Sequence, residues 1–193
     1  MTPLLTRLSP SITDMIRMDH THVVAVFHRF KSGVSAHRKS ALVRNACMAI
    51  EVHAQLEEEI FYPALRECAG PDPVLDRSAP EHDEMRALIA RLRRMDPADP
   101  ELDSTFLGLM RTVMHHVADE EAVLLPEAER RMGEQLSELG AQMTRRRMEL
   151  IAPHAGELAV TSAQAFPVMS VLAVVSALLL GSMLLRRGEH QLA

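Results

Sequence analysis

Apolar residues recur every three to four positions through four successive stretches of the chain, the period of amphipathic helices. The first opens at Ser9-Pro10-Ser11 and carries a stripe of Ile12, Ile16, Val23, Val24 and Phe27, until Gly33 and Ser35 break the pattern. The second runs from about Ser40 to Cys68 with Leu42, Ala46, Ala49, Ile50, Ile60 and Phe61 on one face. Gly70-Pro71-Asp72-Pro73 reads as a loop. The third, from about Pro73 to Met95, carries Leu75, Met85, Ile89 and Leu92, and Pro80 inside it is able to bend the helix. Asp96-Pro97-Ala98-Asp99-Pro100 ends it, and the fourth reaches about Met132 with Leu102, Phe106, Leu109, Val113 and Val123.

Six polar side chains fall in register with these apolar stripes: His20, His53, Glu57, His82, His116 and Glu120. Residues four apart share a helix face, so His53 stands beside Glu57 and His116 beside Glu120. The pattern His-x-x-x-Glu-Glu-x-x-x-x-Pro occurs at His53 to Pro63 and again at His116 to Pro126. His20 and His82 precede these motifs by 33 and 34 residues, so the chain reads as two tandem helical hairpins. One such His/Glu pair on a helix is an ordinary surface contact. Two of them on core-facing stripes, with two further histidines, need a shared partner, because buried carboxylates are paired or bind metal.

Two carboxylates able to bridge, together with imidazoles, make a mixed nitrogen and oxygen set that suits iron, and manganese less well, rather than four-coordinate structural zinc. Ferritin-like bundles build such sites from Glu-x-x-His; here His precedes Glu by four. Met18-Asp19-His20, His53-x-x-x-Glu57, Pro80-Glu81-His82 and His116-x-x-x-Glu120 resemble the hemerythrin-like HHE cation-binding family over about residues 11 to 132. The resemblance implies an all-α, up-down-up-down four-helix bundle around a non-haem di-iron centre. It also implies that Glu57 and Glu120 bridge, that His20 and His53 hold one iron, and that His82 and His116 hold the other. Oxygen-carrying members are similar but have a second His four residues after the third-helix His, where this chain has Arg86. A guanidinium is no metal ligand, so reversible O2 carriage is not the expected activity, and Arg86 is left to pair with an acid or with a bound anion. The remaining expectation is a centre that binds or turns over O2, peroxide or nitric oxide. Alternatives are a module that senses or sequesters iron or these ligands without turnover, and a metal-free scaffold.

Other residues receive quieter readings. Water or an additional carboxylate is left to fill the missing imidazole's place, with Glu58, Glu81 and Glu121 the nearby candidates; each lies one residue off a stripe and reads rather as solvated or as an acid that orients a ligand histidine. His115 would point about 100° away from His116. His22, His28, His37, His154 and His190 receive no role, and Tyr62, the sole tyrosine, reads as packing.

Composition narrows the picture. The chain has 193 residues, 13 of them Met, and a formal net charge of −5, which gives no basic footprint for a phosphate backbone, so nucleic acid is not an expected partner. Cys47 and Cys68 share one predicted helix roughly 30 Å apart, too far for a disulfide. Thiols left reduced, with no signal-peptide pattern in the first twenty residues, point to a cytoplasmic domain. After the bundle come a polar helical extension (133–152), a Pro/Gly-punctuated linker (153–164) and an uncharged run (165–185) long enough to span a bilayer as a C-terminal anchor. Ala173, Ala177 and Gly181 repeat at spacing four, which would let two such helices approach as a homodimer.

Overall fold

The computed structural model describes residues 9–31, 33–156 and 160, and among these all regular secondary structure is helical. The elements are α1 (Ile12–Arg29), α2 (Ala36–Leu56), α3 (Tyr62–Ala69), α4 (Pro73–Leu92), α5 (Leu102–Asp119), α6 (Leu125–Met132) and α7 (Gln135–Ile151), closed by a short 3-10 turn (Ala152–His154). Two π-helical turns, Glu57–Phe61 and Glu120–Leu124, join α2 to α3 and α5 to α6. Four long rods result: α1, α2 with α3, α4, and α5 with α6.

Local chemistry sets the ends. Ser11 caps α1 by accepting from the Asp14 N–H at 3.1 Å, and Asp72 caps α4 by accepting from the N–H groups of Val74 at 2.7 Å and Leu75 at 3.2 Å, with Pro73 in the first turn. Ser35, expected only to break the pattern, is the N-cap of α2, so that helix starts four residues earlier than about Ser40. α3 and α6 end at Gly70 and Gly133, whose φ of 78° and 51° favours a residue without a Cβ.

The stripes pack into two apolar clusters. One gathers Val23, Phe27, Leu42, Ile50, Ile89 and Phe106; the other gathers Ile12, Leu56, Phe61, Leu75, Leu124 and Leu125. The histidines interrupt the stripes between them, so the polar side chains form a layer with apolar core above and below. The second cluster draws on α7, whose Met143 is buried in it. The extension is thus a fifth helix packed on α1, α2 and α6.

The sequence pattern errs most clearly after Glu120. Val123, expected on the core stripe, is exposed, and Leu124 is buried in its stead. The π turn is the reason, since it adds a residue to the turn and shifts the inward face by one position. Among the described residues no helix is long and apolar enough to cross a membrane. The expected anchor at 165–185, its small-residue repeat and most of the linker lie outside the described residues.

Candidate metal centre

All six stripe residues meet inside the bundle, and each is buried. His20 comes from α1, His53 from the end of α2, His82 from α4 and His116 from α5, while Glu57 and Glu120 each open a π turn. Ligating atoms of His20, His53, Glu57 and Glu120 lie within 4.8 Å of one another, and so do those of Glu57, His82 and His116. Glu57 belongs to both groups. Its Oε2 stands 3.2 Å from His53 Nε2, 3.4 Å from His82 Nε2 and 3.9 Å from His116 Nε2. Glu120 Oε2 stands 3.2 Å from His20 Nε2 and 3.4 Å from His116 Nε2.

Every histidine has its outer nitrogen on a carboxylate. Nδ1 of His20 meets Glu121 at 2.8 Å, that of His82 meets Glu58 at 2.9 Å, that of His116 meets Glu81 at 2.9 Å, and that of His53 meets Asp19 at 3.4 Å. An ionised carboxylate only accepts, which assigns the N–H to Nδ1 and leaves Nε2 of a neutral imidazole as a bare lone pair. Four lone pairs and two carboxylates then face one another, a set of acceptors that a cation completes. His20 Nε2, His53 Nε2, Glu57 Oε1 and Glu120 Oε2 are buried and make no hydrogen bond to the protein, although some stand within bonding distance of one another. Such burial without partners is costly, so the donor set fits metal ions.

In the protein without metal, protons carry part of that load. Burial opposes a charge on His116, yet the nearby Glu57 and Glu120 carboxylates, with Glu81 behind it, prevail and lift its pKa to about 9. The charged ring then donates across the 3.0 Å between its Nε2 and that of His82. Burial alone would raise the Glu57 carboxyl, but the imidazoles of His53, His116 and His82 around it hold it well below the usual carboxylate range.

Tyr62 is also here, contrary to its expected role as packing. Its hydroxyl donates to Glu120 Oε1 at 2.8 Å, lies 3.2 Å from Glu57 Oε2, and its ring stacks on His82. Burial, then the charges of Glu57 and Glu120, push the phenol far above its ordinary pKa, so it stays a donor. Asp19 is the other residue whose role went unread. It sits inside the first motif, but its partner His53 is 34 residues away. Glu58, Glu81 and Glu121 act as orienting acids, and Arg86 pairs with Glu58 at 2.5 Å and with Asp83 at 2.6 Å. His115 stays at the surface, 4.0 Å from Asp119.

Fold and site together define a helical bundle built to hold cations between paired His/Glu helices. The chain belongs to the hemerythrin HHE cation-binding domain family, whose model matches residues 11–128. A solved HHE cation-binding domain protein from Mycobacterium kansasii is similar in fold, with a TM-score of 0.62 over 85% of this chain and 98% of that one at 16% identity. A protein described as a DNA nickase, from a Nostoc species, is 29% identical over 114 residues. That match takes in 59% of this chain but only 32% of the nickase, so the chain spans about a third of that relative's length.

Proposed function

We propose that this chain is a non-haem di-iron protein whose centre of four His and two Glu binds or reacts with small oxidants: O2, peroxide or nitric oxide. The observation that carries this reading is the sharing of Glu57 by two groups of ligating atoms, the arrangement of a carboxylate between two neighbouring cations. Glu57 and Glu120 would be shared between the ions, His20 and His53 would hold one, and His82 and His116 would hold the other. Iron is preferred over zinc because two bridging carboxylates raise coordination beyond four, and manganese is the second choice. Two irons held there would supply one-electron redox steps and Lewis acidity to a small ligand.

The chain's own residues supply the rest. The carboxylates behind the imidazoles fix the tautomer that leaves each Nε2 free to ligate. Tyr62 holds Glu120 in place through its buried hydroxyl, which donates to the carboxylate beside the ligating atoms. The apolar clusters above and below keep the dielectric low, which strengthens these interactions. The nickase's action on DNA forms no part of the proposal, because a formal net charge of −5 gives the phosphate backbone no footprint.

Full-length chain loaded anaerobically with ferrous iron should hold two irons per chain. It should also develop a visible charge-transfer band on exposure to O2 or peroxide, and a His116→Ala, Glu120→Ala double variant should lack the band. Repeated loss of added peroxide without loss of iron would make the protein an enzyme, whereas saturable binding alone would make it a sensor or store. Wild-type chain that retains no iron would overturn the proposal.

A further inference from the structure

Behind each histidine's carboxylate stands an arginine, four times over. Glu121, which holds His20, faces Arg17 Nε at 3.3 Å, and Glu81, which holds His116, faces Arg77 Nε at 3.7 Å. Asp19, which holds His53, takes both ends of the Arg147 guanidinium at 2.6 Å, and Glu58, which holds His82, takes Arg86 at 2.5 Å.

The four are not equal. In the first two, imidazole and guanidinium use different carboxylate oxygens, at long Arg distances. In the last two the same oxygen serves both: Asp19 Oδ2 accepts from His53 and Arg147, and Glu58 Oε1 from His82 and Arg86. A guanidinium on that oxygen draws off the negative charge that would otherwise lean on the imidazole N–H. A carboxylate behind a ligating imidazole makes the ring a more basic ligand, and a charge-assisted Arg contact, forked at Asp19 and single at Glu58, works against this. Each half of the centre thus has one histidine with a strongly acting carboxylate, His20 or His116, and one with a carboxylate already engaged, His53 or His82. Arg147 comes from α7, outside the four-rod bundle, and Arg86 stands four residues after His82.

We infer that Arg86 and Arg147 are positioning residues that set the electron donation of His82 and His53, one histidine for each metal ion, and thereby hold the centre toward its reduced state. This rests on the di-iron reading above. A more basic imidazole stabilises the more highly charged ferric ion, so loss of either guanidinium lowers the midpoint potential. Neutralising the carboxylate itself raises it.

The test is a spectroelectrochemical titration of the iron-loaded full-length chain and its variants. Arg147→Gln and Arg86→Gln should each move the midpoint to lower potential, by about tenfold in the oxidised-to-reduced ratio, which is about 59 mV for one electron. Asp19→Asn should move it the opposite way, and Arg147→Lys, which keeps the charge, should return it toward wild type. Arg146→Gln removes the same charge from the same helix, but its partners are Glu59 and Glu149, so it should leave the potential in place. Should Arg147→Gln fail to fold, Arg86→Gln carries the decision from inside the bundle. Potentials that stay put in both Gln variants, or that move no more than in Arg146→Gln, would overturn the inference while wild-type iron loading stands. Wild-type chain without iron would overturn it together with the di-iron reading.

Discussion

His116 shows how single residues prepare the centre. Its pKa of about 9 means that the ring carries, at neutral pH, a proton that the metal must displace. Metal uptake at pH 7 is therefore expected to release protons, seen as a binding enthalpy that tracks the ionisation enthalpy of the buffer. The sign for folding runs the other way. A raised histidine pKa stabilises the metal-free fold fully below the ordinary value of 6.5, and that contribution is lost as pH rises through about 9. Urea titrations of metal-free chain should show stability falling across this window, while metal affinity climbs across it; metal uptake with no proton release at pH 7 would sink the assignment. At this scale much of the site was legible, because His20, His53, Glu57, His82, His116 and Glu120 must lie on apolar stripes to be buried together. Asp19 and Tyr62 were not. Asp19 works across a helix interface that no local spacing reveals. Tyr62 lies five residues after Glu57, about 140° away on an α-helix.

That angle belongs to the wrong helix type, which is the lesson of the elements. In each π turn the N–H five residues on bonds back to the glutamate carbonyl, Tyr62 to Glu57 and Leu125 to Glu120, so residue i+5 comes to the same side as residue i. Pro63 and Pro126 follow in the first turn of the next helix, where no N–H donor is missed. Both prolines stand in the sequence repeat, yet nothing in an α-helical period announces the added residue, so helix existence was legible and the register beyond Glu57 and Glu120 was not. The two halves then diverge: the repeat that brings a hydroxyl to the centre in one brings Leu125 in the other. Truncation separates the two registers. Leu124→Ala is expected to cost about 2–5 kcal/mol, and Val123→Ala about 0.5 kcal/mol or less. Urea unfolding of the metal-free variants reads both, and a comparable loss at the two positions would restore an unbroken α-helix, which sets Val123 and Leu124 on either side of the Glu120 face.

For the molecule as a whole, the fifth helix is what ties surface to centre. Its existence followed from a polar helical stretch after Gly133, but its docking did not, because one of its closest contacts is made by backbone and by a residue with no side chain. A Cβ on Gly140 would run into the Pro10 carbonyl oxygen and come within 3.0 Å of Ile12 N and Ser11 C, at the start of α1. Gly108, inside α5, has nothing within 4 Å of the same atom. Both glycines are helical, so alanine brings each a gain in propensity of roughly 0.5–1 kcal/mol, and only the contact separates them. Gly108→Ala should therefore stabilise the chain. Gly140→Ala meets backbone that no rotamer can clear, so α7 must move off α1 at a cost of about 1–3 kcal/mol. The displaced helix also carries Arg147 away from Asp19, so the same variant should lower the midpoint potential of the loaded centre in the direction of Arg147→Gln. If Gly140→Ala matches Gly108→Ala in urea unfolding, α7 does not sit on the start of α1, and the link from the fifth helix to His53 falls with it.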